Sequence, residues 1–241
     1  MKHLIICFLW CIISVPFALA DLIQGEQEKI YHFDELDGLP APLTELEPTY
    51  PYGLKKLSKK GRVVLWIKID KDGNVFAPTV LESSRASLLK SSLYAVFEWK
   101  FHPGKKDGLA VNSRAKVTID FNGEDAVVSL SKAESAERHS SRHEPNAQLI
   151  GLSEAPEAIK RVQPVYPMKE KRNRVNGRAS ISFIIDEQGK PQRLTVEDFS
   201  RREFIVPSLV AMSQWEFKPG KIEGVPVKTR VRIPFSFKLR R

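Results

Sequence analysis

Cysteine is scarce in this 241-residue sequence, which contains Cys7 and Cys11 and no other. The chain after residue 11 therefore cannot form a disulfide and offers no thiolate to a metal ion. A small secreted scaffold held together by disulfides is excluded, and so is a metal centre ligated by cysteine.

The sequence also lacks the short motifs of common enzyme classes. It has no glycine-rich phosphate loop, no Gly-x-Ser-x-Gly and no His-Glu-x-x-His. His139 and His143 have the spacing of helical metal ligands but stand in a polar stretch without further ligands. Asp70–Asn74 imitates the start of a calcium loop, yet Leu81 occupies the position of the bidentate glutamate. We therefore predict a protein that is not an enzyme and has no metal, cofactor or small-molecule substrate.

Long apolar runs are missing beyond residue 20. Lys2 precedes an apolar run from Leu4 to Phe17, and Ala18-Leu19-Ala20 has the A-x-A pattern of a signal-peptide cleavage site. We predict that residues 1–20 are a cleavable signal and that the mature protein is exported. The alternative is an uncleaved membrane anchor, because Leu4 to Ala20 lies at the short limit for a spanning helix.

Positive charge is concentrated in the C-terminal part of the chain. The net charge is +9, and residues 152–241 hold 19 Lys and Arg against 10 Asp and Glu, whereas residues 21–121 hold 15 against 14. A basic surface is typical of proteins that bind acidic partners, and also of proteins that are simply well solvated. Export disfavours nucleic acid as the partner.

One seven-residue segment occurs twice, as Trp99–Lys105 and Trp215–Lys221. The same offset of 116 residues, without insertion, also aligns Tyr50-Pro51 with Tyr166-Pro167 and Gly73 with Gly189. Such self-similarity indicates two copies of one supersecondary unit. We predict a signal peptide (1–20), an acidic lead-in (21–38), unit one (39–121), a polar flexible linker (122–151) and unit two (152–241).

The order of elements can be read in each unit. Tyr-Pro opens a short helix, a β-rich run leads to a tight turn at Gly73 or Gly189, and a second strand returns. Ser83-Ser84 and Ser200 are expected to cap the next helix, whose start Pro207 delays in unit two. Apolar residues at helical spacing should face the sheet: Leu89, Leu93, Val96, Ile205, Leu209 and Met212.

A last strand follows the Pro-Gly turn in each unit, over residues 111–121 and 227–239. In the second unit Val231, Ile233, Phe235 and Phe237 alternate with polar residues, as in a strand with one buried face. We therefore predict an α+β fold of two tandem units, each a three-stranded antiparallel sheet packed by two helices.

The composite pattern resembles a known family. Pro-x-Tyr-Pro, Ile-Asp-x-x-Gly and Trp-x-Phe-x-Pro-Gly-Lys occur in this order in both units, and unit one also has Gly-x-Val before Ile-Asp. This pattern is similar to the C-terminal domain of the TonB family of bacterial energy transducers. The resemblance implies a periplasmic domain that binds segments of outer-membrane receptors, or other proteins of the same system. In that family a receptor peptide adds as a strand to the domain's last strand, and a Gln-Pro-x-Tyr-Pro segment contacts it.

Carried over to this sequence, the resemblance implies a set of partner-binding residues. In unit two these are Gln163, Pro164, Tyr166, Pro167, Arg230, Val231, Arg232, Ile233, Phe235 and Phe237. In unit one they are Pro48, Tyr50, Pro51, Val117, Ile119 and Phe121, although Glu47 there replaces the glutamine. Core packing is the alternative role for Tyr50, Tyr166 and the tryptophans.

The sequence departs from a transducer because it has no long proline-rich spacer. Three hypotheses follow: a periplasmic module that binds partners by strand addition, a transducer anchored in the inner membrane, and a structural envelope protein whose two units pair edge to edge and bind no receptor. A homodimer is compatible with each of them.

Overall fold

The computed structural model describes residues 29–131 and 151–239. The predicted signal peptide, the lead-in up to residue 28, His139, His143 and most of the predicted linker lie outside these residues. Within the two described ranges, no helix is long and apolar enough to cross a membrane.

The first unit contains nine strands and two α-helices, with a 3₁₀ turn at Phe33–Glu35. They are β1 (Tyr31–His32), β2 (Ala41–Pro42), α1 (Tyr52–Lys56), β3 (Gly61–Ile69), β4 (Val75–Ser83), α2 (Ala86–Glu98), β5 (Phe101–His102), β6 (Gly104–Lys106), β7 (Leu109–Val111), β8 (Ser113–Phe121) and β9 (Ala126–Ser131).

From its first helix to its last strand, the second unit repeats the order that runs from α1 to β8 in the first, with a 3₁₀ turn at Arg202–Phe204. Its elements are β10 (Glu157–Lys160), α3 (Met168–Arg172), β11 (Gly177–Ile185), β12 (Pro191–Phe199), α4 (Ile205–Met212), β13 (Glu216–Lys218), β14 (Gly220–Ile222), β15 (Val225–Val227) and β16 (Thr229–Phe237).

The two units share one continuous sheet of eight strands. Its order is β1-β8-β3-β4-β12-β11-β16, and β9 also pairs with β8. The junction is an antiparallel pairing of β4 with β12, in which Thr79 lies opposite Thr195 and Val80 opposite Leu194. The α+β class agrees with the prediction, but two separate three-stranded sheets do not form. Each returning strand would leave an open edge in an isolated unit, and the junction pairs the middle of one such edge with the middle of the other.

The helices pack on one face of this sheet and touch each other. Leu89, Leu93, Val96, Ile205, Leu209 and Met212 are all buried, as the helical spacing predicted. Side chains of both units belong to one apolar cluster, which includes Leu65 of β3 and Phe183 of β11. The units therefore share a core as well as a sheet. We call the sheet face toward α2 and α4 the inner face and the opposite one the outer face.

The second helix differs between the units in the predicted way. Helix α2 runs from Ala86, whereas α4 starts at Ile205 after a 3₁₀ turn and carries Pro207 in its first turn. Proline is tolerated there because the first N–H groups of a helix have no intrahelical acceptor.

The predicted serine caps are wrong. Residue Arg85 stands at the N-cap of α2, and no side chain caps this helix. The Ser84 hydroxyl instead accepts a hydrogen bond from Arg62 N at 2.8 Å, and Ser200 accepts one from Arg178 N at 2.9 Å. Each serine joins the end of the returning strand to the start of the neighbouring strand, because the bulged hairpin brings these two ends together.

The turn of the first hairpin is built the same way in both units. Gly73 and Gly189 have φ of +79°, and the carbonyls of both accept an N–H bond at 2.9 Å, from Phe101 and Phe217. The carboxylate of Asp70 accepts hydrogen bonds from the N–H groups of Asp72 and Asn74, at 2.9 and 2.7 Å. The stretch that imitates a calcium loop is thus a turn closed by its own aspartate.

The start of the predicted flexible linker is ordered as a strand. Asn122 N donates to Asp125 O at 3.1 Å, and β9 then pairs with β8 from Phe121 opposite Ala126 to Lys116 opposite Ser131. Ala126, Val128 and Leu130 pack against the core. This apolar alternation gains buried area on the inner face, and it outweighs the polar composition of the segment.

Candidate functional site

The two last strands differ in how many neighbours they have. Strand β8 lies between β3 on one side and β9 together with β1 on the other. Strand β16 pairs with β11, and within residues 29–131 and 151–239 it has no second neighbour. The end of unit two is therefore an open edge in the described structure.

Backbone hydrogen bonds fix which residues of β16 point away from the sheet. Ser200 N donates to Arg178 O. The backbone N–H and C=O groups of even-numbered β11 residues therefore point toward β12, and those of odd-numbered residues point toward β16. In the β11–β16 ladder, odd-numbered residues of β11 lie opposite odd-numbered residues of β16, as Ala179 lies opposite Phe235. The even-numbered residues of β16 consequently direct their N–H and C=O groups outward.

Three residues present a full donor and acceptor at this edge: Arg230, Arg232 and Ser236. Pro234 lies among them and contributes only its carbonyl. Proline is found in edge strands for this reason, since its missing N–H would otherwise break a ladder bond. The open edge thus offers backbone N–H donors before and after Pro234, which itself has none.

The side chains of β16 separate by face. Val231 and Ile233 are half-buried on the inner face, and Phe235 and Phe237 are buried there. Arg230 and Arg232 are exposed on the outer face. Arg232 Nε donates to Ser180 Oγ at 2.8 Å. Within the described residues neither arginine forms an ion pair.

The predicted Gln163–Pro167 segment packs beside the inner side of β16. The ring of Tyr166 meets that of Phe237 edge to face, with 5.6 Å between centroids, and its hydroxyl donates to Val175 O at 2.6 Å. Trp215 Nε1 donates to Val162 O at 2.8 Å, and its ring lies 5.8 Å from that of Phe235. The structure therefore places this segment beside β16, and its contact with a partner peptide stays a prediction.

The individual residues of the segment differ in exposure. Gln163 is exposed, Pro164 and Pro167 are half-buried, and Val165 is 75% exposed. Tyr166 is half-buried, its ring packs on Phe237 and its hydroxyl is bonded to Val175 O. Its contacts in this structure therefore stabilise the fold. Gln163 is the member of the motif whose side chain is open to a partner.

A groove of about 340 Å³ lies between this segment and α4. Its lining is largely apolar and includes Val165, Met168, Pro207 and Val210, and Tyr94 of α2 extends it into unit one. Met168 is 65% exposed. The groove places apolar surface of both units next to the Gln163 motif.

The equivalent groove of unit one has a different chemistry. It is lined by Glu45, Glu47 and Glu98, and Glu47 and Glu98 occupy the positions of Gln163 and Gln214. The repeat thus places a groove at the same position in both units but changes its charge. The two units do not present the same surface to a partner.

The residues predicted for unit one occupy a closed edge. Val117, Ile119 and Phe121 are buried on the inner face of β8, and Pro48 is buried as well. Tyr50 packs on Phe121 with 5.0 Å between ring centroids, its hydroxyl donates to Lys59 O, and Pro51 is the N-cap of α1. Because β9 and β1 cover the outward groups of β8, these residues do not form a second open site.

The outer face carries a cluster of cations near the middle of the sheet. The guanidinium of Arg114 lies 3.7 Å from the ring centroid of Trp66, which is 7% exposed, and that of Arg193 lies 6.0 Å away. Burial lowers the pKa of Lys68, and the charge of Arg114 lowers it further, whereas Glu197 raises it. The outer face therefore carries a cluster of positive charge around Trp66, with the carboxylate of Glu197 beside it.

The sequence did not reveal the contribution of β9 to this asymmetry. The signal for β9 in the sequence is the alternation of Ala126, Val128 and Leu130, but it lies in a stretch whose polar composition predicts a flexible linker.

In the described part of the chain, no three His, Cys, Asp or Glu residues are grouped so that they could hold a metal ion.

Comparison with known proteins agrees with the repeat. The sequence model of the family described as Gram-negative bacterial TonB protein C-terminal matches residues 47–122 and again residues 162–239. Protein TonB of Vibrio cholerae serotype O1 is 31% identical to this chain over 104 residues. That match covers 40% of the chain, which spans 43% of the length of this relative.

Among solved structures, the solution NMR structure of the Pseudomonas aeruginosa TonB CTD is similar at 24% sequence identity. The match covers 39% of this chain and 95% of that domain, with a TM-score of 0.34. The two segments matched by the family model together make up more than half of the chain. This chain therefore belongs to the family of Gram-negative bacterial TonB C-terminal domains.

Proposed function

We propose that this chain is a periplasmic protein-binding module that captures an extended segment of a partner by strand addition to β16. The partners in this proposal are periplasmic segments of TonB-dependent outer-membrane receptors or other proteins of that system. Affinity comes mainly from main-chain hydrogen bonds, as in other complexes formed by adding a strand to a sheet.

The observation that carries the proposal is the open edge of β16 beside the closed edge of β8. The two strands are repeats of each other, yet β8 is covered by the chain's own β9 and β1. An exposed edge of nine residues invites aggregation unless it is protected or used. Charged residues and Pro234 protect this one in part, and a partner strand would complete it.

The shape of the edge is fixed before a partner arrives. Tyr166 and Trp215 hold Phe237 and Phe235 from the inner side through ring contacts, and both side chains are anchored by hydrogen bonds to backbone carbonyls. A preorganised edge loses little conformational freedom on binding, which favours capture of a flexible segment.

A second contact area lies next to the edge. Gln163 is exposed beside the groove that Val165, Met168 and Val210 line. The amide of Gln163 can bond a peptide group of the partner, and the groove can take an apolar side chain. Unit one offers acidic groups at the same place, which favours one binding site per chain.

The test uses the full mature chain and synthetic ten-residue peptides from the periplasmic N-terminal segments of outer-membrane receptors encoded in the same genome. NMR should show shifts of the Arg230, Arg232 and Ser236 amides, and calorimetry should give one peptide per chain. Ser236→Pro removes an outward donor without touching the β11 ladder and should weaken binding about threefold to tenfold, the equivalent of one hydrogen bond. Ser236→Ala keeps the N–H group and is the matched control.

Opening the edge of β8 gives a second arm of the test. Val127→Pro with Ser129→Pro removes two N–H groups that β9 directs at β8, and should raise the stoichiometry toward two. The alanine pair at the same positions keeps one site. Peptides that bind without moving the β16 amides, or with the same affinity in Ser236→Pro, would refute strand addition at this edge.

Hydrogen exchange separates this proposal from a purely structural role. In the free chain the outward amides of Arg230, Arg232 and Ser236 should exchange much faster than the inward amides of Val231 and Ile233. Equal protection of both sets would mean that the edge is already occupied and that the chain serves as a structural element.

A further inference from the structure

We infer that the segment accepted by β16 alternates apolar residues with acidic ones. This inference rests on the proposed function. The apolar side chains face the inner side, and carboxylates face Arg232 and Arg230 on the outer face. The partner is thus selected by the charge pattern of a strand as well as by its ability to extend.

The chain contains its own example of an added strand. On the equivalent strand β8, β9 lies antiparallel with Val128 opposite Ile119 and Leu130 opposite Val117. Its residues Ala126, Val128 and Leu130 are half-buried against the core, whereas Val127, Ser129 and Ser131 are exposed. An occupant of this edge is therefore apolar at every second position.

The repeat transfers this register to β16. Ile233, Phe235 and Phe237 stand at the positions of Val117, Ile119 and Phe121. Val231 and Ile233 are only half-buried because no strand covers them in the described residues. Apolar side chains of an added strand would lie opposite Ile233, Phe235 and Phe237 and bury the surface that remains.

The other side of the added strand meets positive charge. Arg230, Arg232 and Lys238 are exposed on the outer face of this edge, and in the described structure none of the three has a carboxylate in ion-pair distance. In the β9 register the partner residue opposite Arg232 corresponds to Ser131. A carboxylate there, and another two residues further on opposite Arg230, would pair with both guanidinium groups.

The same charges disfavour a second copy of this chain as the occupant. Two β16 strands paired antiparallel about a two-fold axis bring outward residues of one copy against outward residues of the other. In a register centred on Arg232, the Arg232 side chains of the two copies lie opposite each other and repel. In a register centred on Pro234, the two prolines lie opposite each other and neither can donate a backbone hydrogen bond. Self-pairing in these two registers is thus disfavoured, whereas an acidic strand meets no like charge at this edge.

The test uses peptides derived from β9, because β9 pairs with the equivalent edge in this structure. The acidic probe is Asp-Ala-Val-Val-Ser-Leu-Glu-Val-Glu, with its glutamates at the positions opposite Arg232 and Arg230 and a valine opposite Val231 on the inner face. The matched neutral probe has glutamine at both positions, and the basic probe has lysine. Affinities are measured by calorimetry with the full mature chain, with Arg230→Gln/Arg232→Gln and with Ser236→Pro, at low and high salt.

We expect the acidic probe to bind about threefold to tenfold more tightly than the neutral one at low ionic strength, and the basic probe to bind more weakly than both. The difference should vanish in Arg230→Gln/Arg232→Gln and shrink at high salt. Both arginines are exposed, and the variant loses only the bond from Arg232 to Ser180. Its melting temperature should therefore fall by no more than about 2–4 °C.

Each other outcome has a distinct meaning. Equal affinity for acidic and neutral probes, with binding still weakened in Ser236→Pro, overturns the charge selection and leaves strand addition standing. No shift of the β16 amides with any probe overturns both. A stable dimer in sedimentation, with the β16 amides protected, overturns the acidic occupant in favour of a second copy.

Discussion

Thr79 and Thr195 are 116 positions apart in the chain, and their hydroxyl oxygens lie 3.1 Å from each other. Each is the direct partner of the other in the β4–β12 ladder, and they hold the same place in their units. A pseudo-two-fold axis therefore passes between them, as it does in an isologous dimer interface. The duplication has produced a dimer-like arrangement within one chain.

This junction leads to a prediction about cooperative unfolding. A lysine at both positions opposes two like charges across the ladder, beside the cations already present on the outer face. Thr79→Lys/Thr195→Lys should be less stable than Thr79→Glu/Thr195→Lys by about 1 kcal/mol, because directly opposed pairs contribute energies of this order. The measurement is urea unfolding followed by circular dichroism and by fluorescence of Trp66, Trp99 and Trp215.

The single variants complete a double-mutant cycle and serve as controls. Because the units share a sheet and a core, the two probes should report one coincident transition in the original chain. Two separate transitions, or no difference between the paired variants, would show that the units fold independently.

A second prediction concerns the hairpin turn of unit two. A Cβ added to Gly189 would stand 1.8 Å from the carbonyl oxygen of Phe217, whereas one added to Gly224 meets nothing within 4 Å. Both glycines have positive φ, at +79° and +82°. Gly224→Ala should therefore cost about 1–2 kcal/mol of backbone strain, and Gly189→Ala at least about 2 kcal/mol more.

The additional cost arises because Phe217 must move and its N–H bond to Gly189 must lengthen. Thermal unfolding of the two variants checks the difference, and the paired design removes the common strain of an L-residue at positive φ. Equal melting temperatures would mean that the Trp215–Lys221 segment is not fixed by this contact.

The elements within each unit could be predicted because their signals are local. Helical spacing placed Leu89 and Leu209 on the buried face, and Pro207 in α4 marked the delayed start of that helix. The junction of β4 with β12 could not be predicted in this way. It depends on which edges stay open after each unit has folded, and no pattern within one strand records that.

The candidate site was predictable only in part. The resemblance to the family predicts that β16 and the Gln163–Pro167 segment bind the partner, and this binding stays a prediction. The sequence could not show that the backbone N–H and C=O groups of even-numbered β16 residues point to the open edge, because this depends on the side of β16 on which β11 lies. The closure of β8 was missed because three alternating apolar residues of β9 carry little weight in a polar stretch.

A third prediction separates structure from binding at the conserved position of the repeat, Tyr50 and Tyr166. Each hydroxyl donates to a backbone carbonyl at 2.6 Å, of Lys59 and of Val175. Tyr50→Phe and Tyr166→Phe should each lower the free energy of unfolding by about 1 kcal/mol, the net value of such a hydrogen bond. Peptide affinity should stay unchanged in both, whereas Gln163→Ala should weaken binding without loss of stability.

A fourth prediction concerns Lys68, whose ammonium group is partly desolvated on the outer face near Arg114. Lys68→Met should raise the urea midpoint at neutral pH, because it removes a positive charge that burial and Arg114 both disfavour. Lys56→Met in α1 is the control, since Lys56 is exposed and its replacement should leave the midpoint unchanged. Glu197→Gln should destabilise the original chain more than it destabilises Lys68→Met, because Glu197 favours the charged form of Lys68.

The gain from Lys68→Met should also depend on pH. The pKa of Lys68 in the folded chain is lowered from its usual value of 10.5, so below the folded pKa both states are protonated and the full cost of the charge is present. Between the folded pKa and 10.5 the unfolded chain binds more protons, so the original protein gains stability as pH rises. The difference between it and Lys68→Met should therefore narrow in the alkaline range and be constant at lower pH. A difference that widened with rising pH would contradict a lowered pKa for this lysine.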